Sequence, residues 1–183
     1  MMDKLILLLF ILIFLFCILS LIYMLTYNKV NDIIIRINEV EASIDSNLRN
    51  KYDLISRCIS IIKGSNDIDN KVFDEIVKLR SRKISNFLLE RKLTLAYNEL
   101  LTLKEQKKDI LGSEEVLKIF VNLEEINEKL TVLIDYYNSN ITKYNKMIVM
   151  FPTNIVAKIN KFKTRLFFDM KDMSDDITND FKL

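Results

Sequence analysis

The sequence predicts an all-α protein: an N-terminal transmembrane helix followed by an antiparallel bundle of three long helices and a short C-terminal helix. Three observations carry this reading. The 183-residue chain has only 2 Gly, 1 Pro and no Trp, so it is poor in the residues that make tight turns between strands. Residues 5–25 carry no charge, and only Ser20 and Tyr23 bear hydroxyls. Over residues 116–151, apolar side chains return every seven places, at Val116, Leu123, Leu130, Tyr137, Tyr144 and Phe151, with a flanking row at Ile119, Ile126, Leu133 and Met147. A face sustained for about five heptads belongs to a long helix packed in a bundle or coiled coil.

Residues 1–27 read as the anchor. About twenty consecutive apolar residues suffice to cross the hydrocarbon core as a helix. Lys4 precedes the run, and Tyr23 and Tyr27 sit at its far end, where interfacial tyrosines are favourable. No small residues mark a cleavage site, and Leu15 and Phe16 are too bulky to precede a lipid-modified Cys17. The anchor is therefore expected to be retained and to pass the membrane once. Lys4 against Lys29 and Arg36 leaves its orientation open.

Residues 28–168 read as the bundle. The uniformly apolar pattern becomes amphipathic at Asn28 without Pro or Gly, so the anchor should run on into the first bundle helix. Val30, Ile37, Ile44 and Cys58 form one heptad row, and Ile33, Val40, Leu54 and Ile61 another. Asn47 and Lys51 interrupt this seam, which is a way to fix register. Gly64 should end the helix, with Asp69 or Asn70 capping the next. A second helix is expected over residues 72–110. Gly112 and Ser113 form the next turn, with Ser113 as N-cap and Glu114 and Glu115 at the positive end of the third helix.

Pro152 breaks that helix, since it has no N–H to donate. Residues 154–168 then read as a short amphipathic helix whose only charges are Lys158, Lys161, Lys163 and Arg165. Its apolar side is expected to dock on the bundle; the alternative is a helix lying on anionic lipid. With three long antiparallel helices, Pro152 falls at the end away from the membrane, which favours docking. Residues 169–183 form an Asp-rich tail expected to fray.

Composition narrows function. Histidine is absent, which removes the usual general base, the usual zinc ligand and any Ser-His-Asp or Cys-His device. No Gly-rich phosphate loop and no carboxylate pair at metal-binding spacing replaces it. No catalysis, metal or cofactor is expected. The 27 basic and 25 acidic residues nearly balance, so nothing argues for nucleic acid. Cys17 and Cys58 lie in different regions and read as free thiols.

Further along, Tyr136-Tyr137-Asn138, Tyr144-Asn145 and Phe151-Pro152-Thr153-Asn154-Ile155-Val156-Ala157 fall in the order YN-x5-YN-x5-FP-x-N-x2-A. This resembles the C-terminal signature of the bacterial LemA family. Glu39, Ile44, Asp45, Leu48, Tyr52, Asp53, Leu54, Ile55, Lys63 and Gly64 match the family's E-A-W-x-x-I-D, R-R-Y-D-L-I-P and V-K-G segments without a gap. Glu41 stands where the family has tryptophan, and Ser56 where it has proline. The resemblance covers residues 27–168. It implies an N-terminally anchored helical bundle of the bacterial cell membrane and, by family association alone, an envelope protein partner such as a membrane protease.

Together the seam and the resemblance single out Asp45, Tyr52, Asp53, Tyr137, Asn138, Tyr144, Asn145, Phe151, Pro152 and Asn154 as a packing- or partner-related signature. The tyrosines should pack in the seam while their hydroxyls and the asparagine amides bond between helices; a ligand pocket is the competing reading. Asp53, beside Lys51 and Arg49, should form an ion pair rather than serve as a catalytic acid. The function expected is a membrane-anchored scaffold or adaptor for another envelope protein. The alternative is a self-associating, membrane-shaping or lipid-surface-binding protein.

Overall fold

The computed structural model describes residues 2–65, 71–79, 84–106 and 113–170. Those residues form five α-helices and one 3-10 turn: α1 (Met2–Ser65), α2 (Lys71–Leu79), α3 (Asn86–Gln106), α4 (Glu114–Val149), α5 (Thr153–Ile159) and the turn Phe168–Met170. The chain packs into two compact units, Met1–Asn38 with Ser139–Arg165, and Glu39–Asn138 with Leu166–Leu183.

α1 is continuous over 64 residues, as the unbroken pattern predicts. Every described side chain up to Leu25 is exposed. From Val30 the heptad row turns inward, and Val30, Ile37, Ile44, Lys51 and Cys58 are all buried. The change from an all-round apolar surface to one buried stripe therefore happens inside a single helix. Gly64 lies in the last turn of α1 rather than beyond it. The expected turn at residues 66–70, with its caps Asp69 and Asn70, falls outside the described residues, as do Gly112 and the tail beyond residue 170.

The stretch expected as one second helix is two. Ile84 and Ser85 are not helical, and Ser85 starts α3: its Oγ accepts the Leu88 N–H at 3.2 Å, and its carbonyl accepts the Leu89 N–H at 2.9 Å. This is N-cap chemistry, in which a hydroxyl satisfies an amide that a new helix would leave unpaired. Lys92 reaches Glu75 at 3.0 Å. Seventeen residues apart in one straight helix, they would lie about 25 Å from each other, so α2 folds back on α3. Each helix has its own short apolar row: Phe73, Ile76 and Leu79 in α2, Leu93, Ala96 and Leu100 in α3, all buried. Lys63 of α1 pairs with Asp74 of α2 at 2.6 Å and holds that carboxyl below its usual range.

Ser113 caps α4 as expected, its Oγ taking the Val116 N–H at 3.4 Å. Val116, Leu123, Leu130, Tyr137 and Tyr144 are buried, as the heptad predicts. The row stops there: Phe151, expected in the seam, is 79% exposed beyond the end of α4. α4 begins in the second unit. In the second unit, Glu115 at its start pairs with Arg57 late in α1 at 2.6 Å.

The helix expected over residues 154–168 ends at Ile159. Phe162 N–H bonds the Ala157 carbonyl and Lys161 N–H the Lys158 carbonyl, with Lys161 at φ 55°. These are the paired bonds and left-handed residue of a Schellman termination. The position usually belongs to glycine, so a lysine there hides the stop from the sequence. Residues 162–167 are non-helical.

Both cysteines are free thiols, Cys17 exposed on the apolar half of α1 and Cys58 buried. Desolvation pushes the Cys58 thiol up to about 11, so almost none is thiolate near neutral pH. A water-soluble maleimide at pH 8 should leave Cys58 unmodified in the folded protein and label it within minutes in guanidinium; prompt labelling without denaturant would contradict the packing of α1.

Candidate functional site

The two Tyr-Asn pairs of α4 converge on one task. In the first unit, Tyr144 donates its hydroxyl to the Lys163 carbonyl at 2.9 Å. The Asn145 amide pairs with both backbone groups of Arg165: Nδ2 donates to its carbonyl and Oδ1 accepts its N–H, each at 2.9 Å. Only a carboxamide carries a donor and an acceptor spaced to copy a peptide group in this way. The Arg165 guanidinium completes the arrangement, donating to Asn38 Oδ1 of α1 at 2.9 Å and lying 5.7 Å from the centre of the Tyr144 ring. Burial raises the Tyr144 phenol pKa, and the neighbouring Arg165 partly opposes the rise.

In the second unit, Tyr137 donates to the Leu166 carbonyl at 3.3 Å, and Asn138 Oδ1 accepts the Phe168 N–H at 2.9 Å. Phe168 is buried and meets the rings of Tyr137 and Phe87 edge-on at 6.4 and 5.9 Å. Spacing explains the repeat. Seven residues along a helix advance about 10.5 Å, and three residues of extended chain advance about 10 Å. Tyrosines seven apart therefore meet carbonyls three apart.

The tyrosines do pack in the seam, as expected. Their hydroxyls and the asparagine amides also hold the backbone of the segment after α5, a set of partners that the spacing does not predict. A peptide segment of the same chain occupies the atoms that a ligand pocket would need.

The remaining signature residues are dispersed. Asp45 pairs with Arg49 at 2.9 Å on the surface of α1. Lys51 turns inward, so neither basic neighbour serves Asp53 as expected. Asp53 is exposed beside a shallow groove lined by Asn50, Asn122 and Glu125, and Tyr52 is half-buried. Pro152 stands at the N-cap of α5 without a side-chain cap. Asn154, half-buried in the first turn of α5, keeps its Oδ1 buried without a partner among the described residues.

Several contacts between distant segments escape sequence reasoning. Lys51, 1% exposed in the middle of the α1 seam, donates to Thr94 Oγ1 at 2.9 Å. Thr94 in turn donates to Glu90 at 2.7 Å, and the Lys51 ammonium lies 3.8 Å from that carboxylate. Desolvation lowers the Lys51 pKa, and Glu90 only partly offsets it. At the other end of α1, Tyr23 accepts a bond from Asn160 Nδ2 at 3.0 Å. Tyr27 stacks with Phe162 at 6.2 Å. Pro152 and α5 thus belong at the apolar end of α1, not at the far end that three passes imply. Among the described residues no three His, Cys, Asp or Glu side chains gather as a metal site.

The LemA family model matches residues 40–181 of the chain. Comparison with the curated proteins gave no match.

Proposed function

Because this chain belongs to the LemA family, we propose that it is a single-pass, membrane-anchored helical scaffold of the bacterial cell envelope, with no catalysis of its own, that holds another envelope protein. One observation carries the reading: α1 joins an exposed apolar span to a buried bundle face without a break. A helix of that kind fixes the bundle at the bilayer instead of trailing it on a loose linker. The apolar part is long enough to cross a membrane, and its exposed surface requires an apolar environment. The absence of histidine from the chain, and the commitment of the Tyr-Asn groups to backbone, support a binding role over a chemical one.

Two measurements test this. Alkaline carbonate should leave the full chain with membranes. A photo-crosslinker at exposed Val132 should give a discrete protein adduct in native membranes. Release by carbonate would end the anchor reading, and a crosslinker yielding only lipid or no adduct would end the scaffold reading.

A further inference from the structure

The last residues of α4, the turn at Pro152 and α5 carry an apolar surface that nothing in the first unit covers. Met150, Phe151, Ile155 and Ile159 are each more than half exposed, while Val156 and Ala157 on the other side of α5 are buried. Ile155 and Ile159, four apart, share one side of the helix. Exposed apolar side chains gathered at one place mark a docking surface. Charge here is of one sign. Lys158, Lys161 and Lys163 are exposed, and no acidic residue occurs between Asp135 and Asp169.

Position selects the occupant. Asn160 exchanges hydrogen bonds with Tyr23, at 3.0 and 3.3 Å. Tyr23 stacks on Tyr27, which stacks on Phe162, each at 6.2 Å between ring centres. Tyr23 lies in the last turn of the apolar run of α1, where an amphipathic ring sits at headgroup level. A patch tied to that residue lies at the bilayer surface whenever α1 crosses the bilayer. Apolar side chains flanked by lysines suit the boundary between acyl chains and anionic headgroups.

We propose that residues 149–163 form a second membrane contact, with Phe151, Ile155 and Ile159 entering the interface and Lys158, Lys161 and Lys163 on anionic headgroups. This rests on the anchor reading above. Asn160 and the ring stack make the contact part of the fold rather than a loose appendage, so α1 and this segment together give the first unit two footholds on one leaflet.

The chain contains no tryptophan, so one introduced indole reports one place. Full-length Phe151→Trp and Ile159→Trp, with Leu12→Trp and Ser139→Trp for reference, would be reconstituted in protein-free bilayers. These would contain phosphatidylglycerol and phosphatidylcholine with bromines at defined acyl depths. Ser139 lies about 15 Å along α4 from its last residue, Val149. Shallow bromines should quench Phe151→Trp and Ile159→Trp about twofold or more, as for an interfacial side chain. Deep bromines should quench Leu12→Trp, and Ser139→Trp should stay unquenched. Replacing the three lysines by glutamine should reduce the Phe151→Trp signal in anionic but not in zwitterionic bilayers. Quenching of Leu12→Trp with none at Phe151 or Ile159 would overturn the proposal and leave the anchor intact, and would assign the patch to a protein. Equal quenching at Ser139 would also overturn it. An unquenched Leu12→Trp would remove the anchor reading and this proposal with it.

Discussion

Asn145→Leu should destabilise the protein by about 2–3 kcal/mol, by removing two backbone bonds and stranding two part-buried peptide groups. The N–H and carbonyl of Arg165 now end on this one carboxamide. Leucine has a similar volume and pairs with neither. Tyr144→Phe deletes only the bond to the Lys163 carbonyl and should cost about 1 kcal/mol. Asn145→Asp should fall between them, since it still accepts the Arg165 N–H but sets a carboxylate oxygen against the Arg165 carbonyl. Urea unfolding of the full chain in detergent should show the order, with a lowered midpoint and an unchanged slope. Amide exchange separates local from global effects. The Arg165 amide should exchange much faster in Asn145→Leu than in the parent protein, at a denaturant concentration where the Leu123 amide does not change. An unchanged Arg165 amide would mean that the carboxamide does not hold the segment.

That clamp shows what sequence can and cannot disclose. The periodicity of α4 places Tyr137 and Tyr144 in a buried row because burial of a helix face depends on that helix's own spacing. The same holds for Val30 to Cys58 along α1 and for the hydroxyl cap at Ser113. The acceptors of the clamp belong to residues 163–168, whose backbone carries no sequence signal. Their departure from the helix follows a stop at Lys161, where a lysine adopts the conformation that glycine would have advertised.

The break between α2 and α3 bears on more of the chain than its own turn. Residues 72–110 keep enough apolar spacing to pass for one helix, and Ser85 looks like any surface serine. Its role as a cap is settled by α2 folding back, through Lys92 on Glu75. Splitting that helix adds one pass, and an added pass reverses the end at which α4 finishes. The antiparallel count that set Pro152 far from the membrane fails for that reason, and Asn160 meets Tyr23 instead. The family signature gains a physical reading from this. The YN pairs fasten residues 163–168, and the FP turn starts the segment they fasten.

Lys51 provides the second large effect, and its sign depends on what replaces it. Lys51→Ala should cost about 2–4 kcal/mol, since it removes the buried stem and leaves a cavity at a packed seam position. Lys51→Met keeps the stem and removes the charge. It should be near neutral or stabilising, because hydrophobic replacement of a buried ion often is and Glu90, with 26% of its side chain exposed, retains both solvent and Thr94. The pH dependence follows from the lowered Lys51 pKa. Between that folded value and the unfolded 10.5, the unfolded chain binds more protons than the native one, so this lysine makes stability rise with pH. Below the folded value both states are charged, and the full cost of burying the ammonium remains. The stability of the parent protein minus that of Lys51→Met should therefore increase from pH 7 toward pH 10.5. The raised phenols of Tyr97 and Tyr144 are common to both proteins and cancel in the difference. Parallel stability curves for the two proteins, or equal losses in the alanine and methionine variants, would show that the ammonium is not buried in the folded bundle.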